Sequence, residues 1–201
     1  MHKIGLTGGI ACGKSSVATI LKTLGIPVLD ADQVARDVVA PNTLGLQEIV
    51  AHFGTEILLE DGSLNRQALR RRMIQNPTDK TTLESITHPK IFQAMQIWQA
   101  EQEKAGHSHT VVEAALMVET GSYRLYDALI VVGCREDIQI ERLMHRNTIG
   151  ETEAKQWIAT QFPLSQKRDV ATITIENNGS PEELRTKTIE MWTHLLSLLS
   201  R

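Results

Sequence analysis

Residues 8–15 read GGIACGKS, and this stretch decides the fold. It fits the pattern G-x-x-x-x-G-K-[ST], with Gly8, Gly13, Lys14 and Ser15 in the fixed places. Such a loop must curl until successive backbone N–H groups point at one phosphate chain, and side chains at its ends would block that approach. Lys14 is suited to reach β- and γ-phosphates, and the Ser15 hydroxyl to hold Mg²⁺. Gly9, Ala11, Cys12 and Ser16 complete the expected nucleotide-binding loop.

The flanks agree with the loop. Lys3-Ile4-Gly5-Leu6-Thr7 before it is a short strand-like run. After it, Val17, Ile20, Leu21 and Leu24 fall at i, i+3, i+4 and i+7, one apolar face of a helix that Gly25 and Pro27 stop. Strand, glycine loop and helix is the context a phosphate site needs, because the helix N-terminus adds its positive dipole end. A glycine-rich turn without a ligand is the alternative, and this setting speaks against it.

Pro27-Val28-Leu29-Asp30 reads as a second strand, with Asp30 and Asp32 at its carboxyl end. In extended chain, i and i+2 point the same way. Ligands of open parallel sheets lie beyond the carboxyl ends of the strands. Both carboxylates are therefore expected to face the end of the phosphate chain. Asp32 is the candidate proton acceptor for an attacking hydroxyl and a candidate Mg²⁺ ligand. A helix N-cap before Gln33 is the competing reading of Asp32.

Further along, helical spacing extends from about residue 33 to Pro41, over 44–53, 64–74 and 79–104, with a turn at Glu60-Asp61-Gly62-Ser63. Residues 35–107 thus read as a helical insertion between strands. Thr110–Ala115, Ala128–Val132 and Ile173–Glu176 read as strands three to five, the fourth apolar throughout, as a strand buried on both faces should be. A helix is expected over 137–146, then a polar segment. Ser180-Pro181-Glu182-Glu183 carries an N-cap, an N1 proline and a capping-box glutamate ahead of a last helix that buries Leu184, Met191, Leu195 and Leu198. Strands alternating with helices imply a three-layer parallel α/β domain.

Composition narrows the function classes. The 201 residues suit one α/β domain with an insertion, and they carry a net charge of −3 with no basic tail. That argues against nucleic acid as a main partner, as does the 4% aromatic content. No apolar run is long enough to span a membrane, and a strand at the N-terminus leaves no room for a signal peptide. The two cysteines, Cys12 and Cys134, lack metal-type spacing and suit a reducing cytoplasm. Cys12 reads first as a small residue that fits the loop; the alternative is that loop amides and Lys14 lower its pKa and make ATP binding redox-sensitive.

Arg142 and Arg146 are i, i+4 on one helix face, placed to clamp transferring charge; a solvated face paired with Glu141 is the alternative. Asn177-Asn178-Gly179 is a turn at the ligand side of the sheet, with Asn177 and Gly179 as candidate adenine contacts. Arg66, Arg70, Arg71 and Arg72 form a basic cluster, either for a phosphorylated substrate or as a charged solvent face. His88 before Pro89 is expected to end or kink a helix and is a candidate substrate contact. His107 and His109 have no third ligand, so no metal is assigned to them.

Taken together, these residues resemble the dephospho-CoA kinases over nearly the whole chain. GLTGGIACGKSSVA at 5–18 and VLDADQVAR at 28–36 resemble that family's phosphate loop and DAD segment. Thr87-His88-Pro89 with Ile91 resembles its HP-x-I element, and Gln139, Arg142 and Arg146 its Q-x-x-R-x-x-x-R run. Gln161, Lys167 and Asn177-x-Gly179 are similar to its later Q, K and N-x-G positions. The resemblance implies transfer of the ATP γ-phosphate to the ribose 3′-hydroxyl of dephospho-CoA, with Mg²⁺. It also implies a P-loop kinase core with a five-stranded parallel sheet (1–34 and 108–201), a helical CoA-binding insertion (35–107) and a lid (143–166). On it, Asp32 is the general base, Lys14, Arg142 and Arg146 stabilise charge, and Asp30, His88 and Glu119 stand on the substrate side. The expected state is a cytoplasmic monomer or weak homo-oligomer. Departures occur at Ala114–Glu119, where a proline-leucine-leucine-x-glutamate run is usual, at Thr172 and at Asn147. The rival readings are a nucleoside monophosphate kinase and a GTP-dependent switch; the DAD segment speaks against the first, and the lack of any Asn-Lys pair against the second.

Overall fold

The computed structural model describes residues 1–200. Strand β1 (His2–Gly8) runs through the glycine loop into α1 (Lys14–Thr23), and β2 (Val28–Asp30) follows. Helices α2 (Ala31–Asp37), α3 (Leu44–Phe53), α4 (Arg66–Gln75) and α5 (Pro77–Lys104) come next. After β3 (His109–Glu113) and β4 (Ala128–Gly133) come α6 (Glu136–Asn147), α7 (Glu151–Ile158), α8 (Leu164–Asp169), β5 (Ile173–Glu176) and α9 (Pro181–Leu199).

All five strands form one parallel sheet in the order β2-β3-β1-β4-β5. The sequence reason is plain in the middle strands. Every residue of β4 and the last five of β1 are buried, so both strands can only lie inside the sheet with helices on either face. Leu6 and Asp30 both register with Glu113, Gly8 with Val132, and Gly133 with Glu176. The glycine loop, Asp30, Glu113, Cys134 and Asn177 therefore all stand at the carboxyl edge.

The chain folds as two compact units: Met1–Asp30 with the residues from Gln102 on, and Ala31–Glu101. In the first, Ile4, Leu6, Val17, Leu21, Val111, Ile130 and Leu195 share one core. Helix α9 starts as its sequence dictates: the Ser180 hydroxyl accepts from the Glu183 N–H at 3.2 Å, with Pro181 in the first turn. Such a cap contributes about 1 kcal/mol.

The second unit is helical, with a core of Val39, Ile49, Phe53, Ile57 and Leu69. The Thr43 hydroxyl caps α3. A single antiparallel bridge, Leu58 to Leu64, closes the turn in which Asp61 accepts from Ser63. Arg72 belongs to this unit's framework: it donates to the Phe53 carbonyl, pairs with Asp79 and Glu56, and lies over the Phe53 ring. Arg66, Arg70 and Arg71 are exposed.

Three local expectations are corrected. Asp32 is not in extended chain; it lies in the first turn of α2, so the i, i+2 argument for Asp30 and Asp32 fails. Pro89 does not end its helix; α5 continues through it over 28 residues, since one lost i→i−4 bond is tolerated where the other turns persist. Strand β3 ends at Glu113, because Ala114 and Ala115 already turn away as a loop.

Candidate active site

The loop after β1 enters α1 through Gly13, whose φ of 94° suits glycine, with Ala11 at φ 59° just before it. A Cβ on Gly8 would stand 2.5 Å from the Val132 carbonyl oxygen, so the small residue there is required by the neighbouring strand. The first N–H groups of α1 have no partner within the helix and open toward the carboxyl edge of the sheet.

Beside them lies a polar cluster that the sequence did not single out. Lys14 Nζ donates to Glu113 Oε1 at 2.5 Å, and Ser15 Oγ donates to the same oxygen at 3.0 Å. The Glu113 side chain is only 5% exposed. It arrives there because β3 lies parallel to β1 and ends at Glu113, the register partner of Leu6, just before the loop begins. The available signal was an acidic residue closing an otherwise apolar strand, Thr110-Val111-Val112-Glu113.

The back of the loop is fixed by side chains from later in the chain. Gln161 Oε1 accepts from the Ile10 N–H at 2.9 Å, and Gln139 Nε2 donates to the Ile10 carbonyl at 2.8 Å. Asn177 Nδ2 donates to the Cys12 carbonyl at 2.9 Å, and Arg142 Nη1 donates to the Asn177 carbonyl at 3.0 Å. These bonds point the Ile10 and Cys12 carbonyls backward.

A second polar knot lies under the loop. Lys167 is fully buried; its Nζ is 2.8 Å from Glu119 Oε1 and donates to the Ala115 carbonyl at 3.0 Å and the Gly8 carbonyl at 3.4 Å. Glu119 Oε1 also accepts from the Phe162 N–H, while Oε2 is buried without a partner. Glu119 thus holds Lys167 and the segment before α8. The Ala115 carbonyl also accepts from Thr7 Oγ1. A carbonyl is present in alanine as in proline, so this departure from the usual run keeps the acceptor. Thr172, another departure, bonds Leu129 through both its N–H and its hydroxyl, fastening β5 to β4.

The remaining sequence candidates separate. Arg142 is half-buried against the Asn177 turn, whereas Arg146 is exposed and donates to Asn147 Oδ1. Ser16 is exposed on α1. Asn177 is buried and spent on the loop, and Gly179 stands so close to the Glu183 carboxylate that a Cβ would collide with it. Asp30 closes β2 as the register partner of Glu113. Asp32 and His88 are exposed residues of the second unit. Of the two readings of Cys12, the lowered pKa is the one that fails. The neighbouring Cys134 sulfur and burial push its pKa up, and Lys14 is turned to Glu113 instead.

Oxygen donors from Ser15 and Glu113 fit Mg²⁺, a hard ion that takes few protein ligands and keeps water and phosphate oxygens. Among the described residues no cluster of three or more His, Cys, Asp or Glu suits a dedicated metal cage, and no helix is long and apolar enough to cross a membrane.

A glycine loop between β1 and α1, with its lysine, its serine and an acidic residue on the adjacent strand, defines a P-loop kinase. Residues 2–183 match the dephospho-CoA kinase family model, and the chain belongs to that family. The dephospho-CoA kinase of Geobacter sulfurreducens is 42% identical over 192 residues, 96% of this chain and 98% of that protein. That of Halalkalibacterium halodurans is 40% identical over 94% of each chain. Among solved structures, dephospho-CoA kinase from Campylobacter jejuni superposes with a TM-score of 0.71 at 26% identity over 96% of each chain. Shikimate kinase from Acinetobacter baumannii, at 16% identity and a TM-score of 0.51, shares the fold.

Proposed function

We propose that this kinase transfers the γ-phosphate of ATP to the ribose 3′-hydroxyl of dephospho-CoA, the last step of coenzyme A synthesis. Family membership and the Lys14–Ser15–Glu113 cluster at the phosphate loop together support this reading most directly. The loop N–H groups of residues 9–16 bind the phosphate chain. Lys14 leaves Glu113 for the β- and γ-phosphate oxygens, where its charge offsets what develops in transfer. Ser15 and the freed Glu113 carboxylate would hold Mg²⁺, with Asp32 as a further candidate ligand. When bound, the ion would supply neutralisation of phosphate charge.

Asp32 accepts the proton of the attacking 3′-hydroxyl as the new O–P bond forms and the bond to ADP breaks. Arg142 and Arg146 stabilise the transferring group, Arg146 from within the segment 143–166 that acts as the lid. Asn177 and Gly179 border the adenine. Residues 35–107, with His88, take the CoA portion, and Asp30 and Glu119 support the acceptor side. The enzyme works in the cytoplasm as a monomer or weak homo-oligomer.

The test offers the protein Mg-ATP with dephospho-CoA, AMP, CMP, UMP or shikimate in separate mixtures, and follows ADP release and acceptor mass. Phosphate gained by dephospho-CoA alone is the expected result. Transfer to a monophosphate instead would overturn the acceptor and leave the P-loop kinase standing.

A further inference from the structure

Cys12 lies in the phosphate loop and Cys134 directly follows β4, and their sulfurs are 3.0 Å apart. The two residues are 122 positions apart in sequence and meet because Gly8 registers with Val132 at the carboxyl edge. Neither thiol has a part in phosphate transfer as argued above. Their environments differ. Cys12 is completely enclosed, with a Cβ on Gly9 excluded by its sulfur. Cys134 lines a cavity of about 510 Å³ bordered by Gly9, Gln139, Phe162, Leu164 and Arg168.

We propose that Cys134 and Cys12 form a peroxide-responsive thiol pair that closes to a disulfide and fixes the phosphate loop in a form poor at binding ATP. Cys134 is the attacking sulfur. Though only 3% exposed, it lines the cavity, and the Cys12 hydrogen bond first, with the charges of Arg142 and Arg168, outweighs burial and the Glu176 charge to lower its pKa and favour the thiolate that reacts. Cys12, its pKa raised by Cys134 and by burial, stays a thiol and acts as the resolving partner.

The chemistry balances with hydrogen peroxide as oxidant. The Cys134 thiolate attacks one peroxide oxygen, the O–O bond breaks, and hydroxide leaves, giving a sulfenic acid. The Cys12 sulfur then attacks the Cys134 sulfur. An S–S bond forms, the S–O bond breaks, and the departing hydroxide takes the Cys12 proton, leaving as water. Two thiols lose two electrons in total, and each peroxide yields two waters.

A disulfide spans about 2.05 Å between sulfurs, so closure draws Cys12 and Cys134 together by about 1 Å. Cys12 is one residue from Gly13 and two from Lys14, inside the set of N–H groups that must converge on phosphate. A displacement of about 1 Å in a positioning group costs on the order of a hundredfold in turnover.

The test does not depend on the acceptor. The protein is exposed to excess hydrogen peroxide, denatured, alkylated with iodoacetamide and digested. Expected is one cross-linked peptide pair, Cys12 with Cys134, that reverts to two alkylated cysteines after dithiothreitol. ATP binding by the oxidised protein should fall at least tenfold and recover on reduction. Cys134→Ser and Cys134→Ala, two variants in case one folds poorly, should keep ATP binding after the same exposure and leave Cys12 open to alkylation once denatured. Two alkylatable cysteines in treated wild type, overoxidised Cys134 without a cross-link, or cross-links only between molecules would overturn the pair. A complete cross-link with unchanged ATP binding would overturn its effect on the loop. The activity part rests on the P-loop reading; failure of that reading would instead appear as absent ATP binding in the reduced protein.

Discussion

Lys167 Nζ lies 2.8 Å from Glu119 Oε1, with the lysine closed to solvent altogether. One charge on α8 and one carboxylate after β3 thereby hold together two segments that flank the phosphate loop. A buried ion pair of this kind is expensive to break from one side, since the remaining charge keeps its desolvation penalty.

Lys167→Met is therefore expected to destabilise the protein by about 3–5 kcal/mol, read by urea denaturation. Lys167→Met with Glu119→Leu should regain much of that loss, because neither charge is then left alone. A single variant as stable as wild type would mean that the lysine is not held as the geometry describes.

Glu113→Gln keeps the shape of the side chain and removes its charge. Turnover should fall about a hundredfold, and the Mg²⁺ concentration needed for half-maximal rate should rise. The check is a Mg²⁺ titration of initial rate for both proteins. If Glu113 only parks Lys14 in the absence of nucleotide, the Mg²⁺ midpoint stays where it was.

Asp32→Asn should lower turnover by about 10²–10⁴-fold while leaving ATP affinity near that of wild type, because it deletes proton acceptance and spares the phosphate cradle. Pre-steady-state transfer and equilibrium ATP binding separate the two. Turnover near normal would remove Asp32 from the role of base.

His109 gives a pH dependence. Burial first, then the charges of His2 and the N-terminus, lower its pKa in the folded protein. The ring packs beside His2 and edge-on to Trp192, where a proton is unwelcome. The unfolded chain therefore binds the proton more readily than the folded one. Stability is full above the ordinary histidine pKa of about 6.5 and declines as pH falls from there through the lowered value. Thermal midpoints between pH 7 and 5 should fall less steeply for His109→Gln than for wild type.

The order of elements, the five strands and the phosphate loop were legible because each rests on local rules. Apolar runs become buried strands, the Ser180-Pro181 cap starts α9, and glycine spacing marks the loop. What was not legible depends on register between distant segments. Glu113 reaches Lys14 only because β3 happens to lie beside β1. Glu119 is turned to Lys167, and Cys12 is turned to Cys134, by partners that no local spacing announces. Asp32 was misjudged in conformation because a three-residue strand gives way to helix at once, and side-chain periodicity does not show where that change falls.

The middle position of β1 also bears on how the chain comes to be folded. Its two neighbours, His109–Glu113 and Ala128–Gly133, are about a hundred residues or more downstream. During synthesis Ile4 and Leu6 have no neighbouring strand to join until the polypeptide has passed the end of β3, and the helical unit between is free to form first. Closing so long a loop before any pairing returns free energy makes assembly of the sheet slow. The strand that leads into the phosphate loop thus waits for partners made about a hundred residues after it.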